Sequence, residues 1–317
     1  MDDRMSIGIF LTDLLKKFPG ILYYQSIRER SEENKNIDYL YGLVYLGKRY
    51  EGLLEKLLSL NLTEKYVIIS RTYIAFMAII RLDLKKLENQ IAELKTFPED
   101  FFLQFPFNPL FCLETIYYYL RFGILRKEAL IQLTQFYFFP VIQTNKSYPE
   151  AFNEILHLIG LYTISICNNE KKTMRFIIAL KKIYPSGSTC YNFLFRILKA
   201  ELYLCLGKNN DAIRILQELG PYYDEENSSF TAFIKISYQV LKTKLENLNS
   251  EPDIDQINEL TQFCDEEHCN LIKLHSLAFL LKKNPMLKRD SQFFDQFYFN
   301  LVRITSELGC KENSFAV

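Results

Sequence analysis

Hydrophobic residues recur every three or four positions along most of the chain, which is the spacing of one face of an α-helix. The clearest example lies at residues 192–206, where the residues on this spacing are Leu194, Ile197, Leu198, Leu202 and Cys205. Gly207 follows directly, and glycine readily adopts the left-handed conformation that often ends a helix. The pattern therefore predicts a helix that stops at Gly207.

A second helix is predicted directly after this turn. Asn209 or Asn210 is expected to cap its N-terminus, because an asparagine side-chain oxygen can accept a hydrogen bond from a free backbone N–H. The apolar residues of this helix are Ala212, Ile213, Leu216 and Leu219. Gly220-Pro221 is expected to end it, because proline cannot continue a helix. The two helices together form a helical hairpin joined by a tight turn.

The same succession of helix, turn and helix is predicted at three other places. The predicted pairs are residues 39–46 with 51–60, 113–122 with 127–139, and 151–167 with 171–184. Repeated helical pairs of about 34 residues are typical of a tetratricopeptide-type solenoid, and the unit around Ala200 and Ala212 fits that pattern best. The predicted fold is all-α, an α-solenoid of antiparallel helical hairpins with degenerate repeats, and residues 1–317 are expected to form a single domain.

Composition argues against several classes of function. The chain has 38 Lys and Arg against 38 Asp and Glu, whereas non-specific nucleic-acid binding needs a surplus of positive charge. Its 11 Gly argue against glycine-rich phosphate loops, and its 3 His leave little for acid–base catalysis or metal binding. We therefore expect a protein that is not an enzyme, without catalytic residues, metal or cofactor.

No hydrophobic segment is predicted to serve as a signal peptide or a membrane span. The apolar run at residues 7–15 is interrupted by Asp13 and is not followed by a cleavage site. The longest apolar stretch, residues 155–167, is shorter than the roughly 18 to 20 residues that a membrane span needs. The 7 cysteines are scattered, which fits reduced thiols. The expected location is cytoplasmic.

One cluster has the residue types of a metal site, namely Cys264, His268, Cys269 and His275. Zinc needs about four ligands in tetrahedral geometry, and one helix cannot present all of these side chains on a single face. The favoured interpretation is therefore buried thiols beside a partly exposed histidine. An enzyme stays a third hypothesis, which a deep pocket with converging titratable groups would favour.

An aromatic helix is the first candidate for a protein interface. Phe136, Phe138 and Phe139 belong to a segment that is apolar around the whole helix, so either neighbouring repeats or a partner must cover it. A basic helix at residues 171–182 leaves a similar choice between a solvated face and contact with acidic lipid headgroups.

A polar stripe on the first helix of the best hairpin is the second candidate. It consists of Asn192, Arg196 and Lys199. In a solenoid the first helices line the concave groove, so this stripe could bind the carboxylates of a partner. The alternative is a solvated stripe in which Arg196 pairs locally.

A set of short motifs occurs in a recognisable order along the chain. The motifs are Tyr184-Pro185, Phe195, Arg196-Ile197-Leu198, Ala200-Glu201-Leu202 and Leu206-Gly207, and then Phe299-Asn300-Leu301 with Glu307-Leu308 near the C-terminus. In this order they resemble the family of subunit 12 of the TRAPP vesicle-tethering complex, which consists of tetratricopeptide-repeat proteins.

This resemblance implies a scaffold subunit that joins other subunits of a tethering complex. The TRAPP complex acts in ER-to-Golgi traffic and autophagy and activates a Rab GTPase. The chain would then lie at the periphery of ER–Golgi membranes and would not itself be the exchange catalyst. The alternative is a generic tetratricopeptide adaptor, for example a chaperone co-factor or a coat subunit, that binds a peptide in its concave groove.

Overall fold

The computed structural model describes residues 55, 58, 64–105, 108–122, 157–158, 160–161, 189–226, 232–248, 253–284, 287, 294–295 and 297–299. All secondary structure in these residues is helical, which confirms the predicted all-α class for this part of the chain. In chain order the helices are α1 (Glu64–Arg81), α2 (Leu84–Leu94), α3 (Pro109–Phe122), α4 (Thr189–Cys205), α5 (Asn209–Glu226), α6 (Ala232–Glu246), α7 (Ile254–Glu266) and α8 (Asn270–Lys283). A 3₁₀ helix, Glu99–Gln104, lies between α2 and α3.

Several predicted helices lie outside the described residues. These are residues 39–46, most of 51–60, 127–139, most of 151–167, and 171–184. The interface candidates Phe136, Phe138 and Phe139 and the basic helix at 171–182 lie outside them as well. The predicted helix at residues 113–122 is confirmed as α3, which begins earlier, at Pro109.

Helices α1 and α2 form a hairpin that is not among the predicted pairs. Leu82 takes a positive φ of 63° in the turn, and the Asp83 carboxylate accepts a 3.0 Å hydrogen bond from the backbone N–H of Lys86. This cap satisfies one of the free N–H groups at the start of α2. Residues 72–80 of α1 are all buried, so α1 is covered around its circumference by the helices that pack on it.

The α4–α5 hairpin agrees with its prediction. Helix α4 begins slightly before the predicted start at residue 192 and ends at Cys205, and Gly207 takes a left-handed φ of 72°. Ala200 and Ala212 are both fully buried, because their small side chains let α4 and α5 approach each other closely. The predicted hairpin with a glycine turn is therefore confirmed.

The predicted cap of α5 is wrong. Asn209 and Asn210 both lie inside the first turn of α5, so neither occupies the capping position. The backbone carbonyl of Lys208 accepts the first hydrogen bonds of this helix, from the N–H groups of Asp211 and Ala212. The helix therefore begins immediately after the glycine turn, without room for a polar cap.

The predicted end of α5 at Gly220-Pro221 is also wrong, since α5 continues to Glu226. Proline removes one backbone donor, which leaves the carbonyl of Gln217 without its usual helical partner. Gln217 is exposed, so water can bond to that carbonyl. Gly220 has no Cβ to clash with the proline ring, and this relieves the usual restriction on the residue before proline.

Replacing Gly207 by alanine is expected to lower the free energy of unfolding by about 1 kcal/mol, because a Cβ is disfavoured in the left-handed conformation. A Cβ at this position would meet no atom within 4 Å, so backbone strain alone causes the loss. Urea denaturation measures the change, with Gly207→Asn as the matched control, since asparagine tolerates this conformation better. Equal losses in the two variants would contradict this explanation.

Contacts between distant parts of the chain join the first and last of these helices. Helix α8 packs on α1, and the Asn270 side-chain amide donates a 3.1 Å hydrogen bond to the carbonyl of Arg81. Phe76 of α1 meets Phe233 of α6 edge-to-face, with ring centroids 5.6 Å apart. An open row of repeats brings together only neighbouring units, so here the helices fold back on one another.

Candidate functional site

The polar stripe of α4 lies at the surface and makes contacts within the α4–α5 hairpin. Asn192 is exposed, and the Arg196 guanidinium forms a 2.9 Å ion pair with Glu218 of α5. Lys199 Nζ lies 5.6 Å from the ring centroid of Tyr203 on the same helix. The local pairing of Arg196, one of the two alternatives drawn from the sequence, is therefore present. Exposed pairs of this kind contribute about 0 to 1 kcal/mol.

Tyr222 extends this surface on α5. Its side chain is 52% exposed, and the Arg196 guanidinium carbon lies 5.9 Å from its ring centroid. The neighbouring Tyr223 stacks on Tyr238 of α6, with ring centroids 4.2 Å apart. Tyr222 was not a predicted interface residue, because the sequence indicated that α5 ends before it. We call the set Asn192, Arg196, Lys199, Glu218 and Tyr222 the α4–α5 surface.

A cavity in the interior is the second candidate site. It lies between α4, α6, α8 and the helical residues near position 157, and it leaves about 40 Å³ for the centres of water-sized molecules. Leucine, isoleucine and valine side chains form much of its lining. Among the described residues, the polar ones that line it are His157, Glu201, Ser237, Lys244, His275 and Ser276. We call these six residues the polar cluster.

Glu201 of α4 and Lys244 of α6 form an ion pair within the polar cluster. Lys244 Nζ donates hydrogen bonds of 3.0 Å to both carboxylate oxygens of Glu201, and each side chain is only 8% exposed. The ammonium group also lies 4.7 Å from the ring centroid of Phe279 on α8. Charges removed from water are costly unless they are closely paired, and this two-bond geometry supplies the pairing. The ion pair thus connects α4 and α6, and its cation contacts α8.

Two neutral histidines face the same cavity. Burial, assisted by the positive charge of Lys244, lowers the pKa of both His157 and His275 to about 3. Both rings are therefore uncharged at neutral pH. The His157 ring meets Phe233 edge-on, with ring centroids 5.8 Å apart.

The hydrogen-bonding capacity of His157 is unused within the described part of the chain. Neither of its ring nitrogens has a hydrogen-bond partner there, although the residue is buried. The backbone of Leu194 lies close enough to offset part of the pKa shift but does not meet the geometry of a hydrogen bond. His157 is thus a buried polar group with one free donor and one free acceptor.

Of the polar cluster, His275 was considered as a candidate ligand of the possible metal site, whereas Glu201 appeared only within a family motif. A signal for Glu201 was present, because it follows Ile197 and Leu198 by four and three positions and so lies on the apolar face of α4. Its partner could not be found in this way, since Lys244 is 43 residues away. Helical periodicity can indicate that a charged residue is buried, whereas its ion-pair partner can be identified only from the tertiary structure.

The residues of the possible metal site lie in different surroundings in the structure. Cys264 and Cys269 are buried, and burial raises the pKa of the Cys264 thiol to about 12. His268 is half-buried in the turn between α7 and α8, whereas His275 lines the cavity. In the described ranges, no group of three or more His, Cys, Asp or Glu residues is placed to hold a metal ion.

Comparison with known proteins identifies no relative. No protein-family model, no curated protein and no solved structure matches the chain. Among the helices that the structure describes, none has both the length and the apolar character needed to cross a bilayer. The proposals that follow therefore start from the residues of this chain.

Proposed function

We propose that this chain is a non-catalytic scaffold that binds other proteins through the surfaces of stacked helical hairpins. The observation that carries the proposal is the α4–α5 hairpin, which combines buried alanines at the helix contact with a left-handed glycine turn. These are features of a tetratricopeptide-type unit. The finer arrangement that we propose is the predicted α-solenoid of antiparallel helical hairpins, in which α8 also packs on α1.

The α4–α5 surface is the proposed binding face. Arginine and tyrosine are enriched among the residues that dominate binding energies, and Arg196 and Tyr222 contact each other there. The ion pair between Arg196 and Glu218 is exposed and hence weak, so the carboxylate of a partner can take the place of Glu218. A charged hydrogen bond that a partner encloses is electrostatically stronger than one exposed to water, because the local dielectric constant is lower.

The proposed setting is a TRAPP-like tethering complex in ER-to-Golgi traffic. Most of the motifs that resemble this family lie within α4 and the turn that follows it, Thr189–Cys205 and Gly207. The partners in this proposal are other subunits of the complex, with a Rab GTPase reached only indirectly. The location is cytoplasmic, at the periphery of ER–Golgi membranes. The alternative is a tetratricopeptide adaptor that binds a single peptide.

Reversing the charge of the stripe, with Arg196→Glu and Lys199→Glu together, is expected to reduce recovery of partner proteins at least about tenfold, which corresponds to roughly 1.4 kcal/mol of binding energy. The measurement is affinity purification of the tagged full chain from cells, followed by quantitative mass spectrometry. The matched control is Lys95→Glu, since Lys95 also makes an exposed ion pair, 2.7 Å from Glu114, but lies at the end of α2, which packs on α1 and α3.

Each outcome of this experiment has a definite meaning. Recovery of trafficking subunits by the unmodified chain supports the tethering proposal, and recovery of none of them counts decisively against it. Chaperones or coat proteins in their place support the adaptor. Equal losses in the double variant and in Lys95→Glu would show that the α4–α5 surface is not the binding face.

The polar cluster does not lead us to propose catalysis. Converging titratable groups are what an enzyme would need, but small-molecule sites usually have about 300 to 1,000 Å³. The cavity leaves about 40 Å³ for water-sized molecules, which is too little for a metabolite. This cavity is therefore not a candidate site for a metabolite.

A further inference from the structure

We propose that the cavity between α4, α6 and α8 is a binding site for buried water, which joins His157 to the Glu201–Lys244 ion pair in one hydrogen-bonded network. This inference concerns the interior of the protein and does not depend on the proposed scaffold function. It starts from the unused ring nitrogens of His157 in the described part of the chain. A buried polar group without a partner is destabilising, and buried polar groups in native proteins nearly always have partners.

The chemistry of the lining selects the kind of molecule that fits. The Ser237 hydroxyl donates to the carbonyl of Phe233 at 2.8 Å, and the Ser276 hydroxyl donates to the carbonyl of Ile272 at 2.7 Å. Each serine oxygen can therefore accept further hydrogen bonds but cannot donate one. The same holds for the carboxylate of Glu201. A molecule in this cavity must donate hydrogen bonds to these oxygens.

The charges of the cluster exclude ions. An anion would lie beside the negative charge of Glu201. A cation would lie beside the positive charge of Lys244. The molecule is therefore neutral, donates at least two hydrogen bonds and accepts one from the His157 ring. Water meets all of these requirements.

The size of the cavity agrees with this assignment. A buried water needs roughly 10 to 15 Å³ of accessible space and two to four polar partners. The cavity offers about 40 Å³ and six polar residues in its lining. It therefore has room for water and leaves little for a larger ligand. Cavities that stay empty are apolar, and the polar cluster distinguishes this cavity from them.

Magnetic relaxation dispersion of ²H and ¹⁷O in water tests the proposal, because it counts waters that exchange slowly from a protein interior. His157→Phe, which keeps a planar ring but removes both ring nitrogens, is expected to lower the amplitude by at least one water. His157→Gln, which keeps a donor and an acceptor, is expected to retain it. Gln217→Ala, an exposed change on α5, is the control for unrelated surface effects.

Two results would overturn the proposal. One is an amplitude in His157→Phe equal to that of the unmodified chain. The other is saturable binding of ¹²⁹Xe by the unmodified chain at the Leu158 and Leu271 methyl groups that line the cavity, because xenon enters dry apolar cavities. The xenon measurement needs no variant, so it decides the question even if His157→Phe does not fold. Its absence, together with slowly exchanging water in the unmodified chain, supports the hydrated cluster.

Discussion

Replacing Glu201 by leucine, with Lys244 left in place, is expected to lower the free energy of unfolding by about 3 to 5 kcal/mol. The ammonium group of Lys244 would lose both of its 3.0 Å hydrogen bonds and the only carboxylate among the described residues of the cavity lining. It would then remain as an unpaired charge at a site that is almost closed to water. Urea denaturation followed by circular dichroism measures this loss.

An exposed ion pair of similar length provides the matched control. Lys95 Nζ lies 2.7 Å from Glu114, and the Lys95 side chain is 56% exposed. Glu114→Leu is expected to change the free energy of unfolding by no more than about 1 kcal/mol, because water solvates the lysine that is left. If Glu201→Leu is no more harmful than Glu114→Leu, the Glu201–Lys244 pair is not buried in solution.

The double variant Glu201→Leu with Lys244→Met distinguishes the cost of the unpaired Lys244 charge from the cost of altered packing. Replacing both members of a buried ion pair by apolar residues of similar size is often neutral or even stabilising. We therefore expect the double variant to be clearly more stable than Glu201→Leu alone. A double variant as unstable as the single one would mean that packing, and not the unpaired charge, accounts for the loss.

Acidification from pH 8 to pH 5 is expected to lower the free energy of unfolding by about 4 kcal/mol through His157 and His275. In the folded protein, burial lowers the pKa of both rings to about 3, whereas the unfolded chain has the ordinary histidine pKa of about 6.5. Between these values the unfolded state binds more protons, so stability falls as the pH falls. At pH 5 each histidine contributes about 2 kcal/mol of this loss.

The three histidines of the chain allow a controlled measurement of this effect. The free energy of unfolding is measured from pH 8 to pH 5, a range in which ordinary carboxyl groups stay mostly ionised. His157→Leu and His275→Leu are each expected to remove about half of the pH dependence. His268→Asn, in the turn between α7 and α8 where φ is 55°, is the matched control and should retain it. An unchanged slope in all three variants would contradict the assignment.

The α4–α5 hairpin shows how far local patterns predict this fold. The spacing of Leu194, Ile197 and Leu198 and the glycine at 207 predicted a helix and its end, and both are present. The expectation that Pro221 ends the helix was wrong. Whether a proline ends a helix depends on whether water can reach the carbonyl that loses its N–H partner, and on whether the residue before the proline is a glycine. Both conditions are set by the surroundings of Pro221 and not by the proline alone.

Helical spacing likewise predicted part of the candidate interface but not its contacts. The stripe of Asn192, Arg196 and Lys199 was predicted from helical spacing, and the structure places it at the surface. Spacing did not indicate that Arg196 would pair with Glu218, which lies on the adjacent helix. It also did not indicate that Tyr222 would extend the surface, because that depends on where α5 ends.

By itself, the sequence determined that the described part of the chain is helical and where the best hairpin turns, because helical periodicity and glycine preferences act over a few neighbouring residues. Only the tertiary structure decided that α8 packs on α1 and that Glu201, Lys244 and two histidines share one cavity. These contacts join residues that are tens to hundreds of positions apart. Their energies depend on burial and distance, and both arise only when the helices pack together.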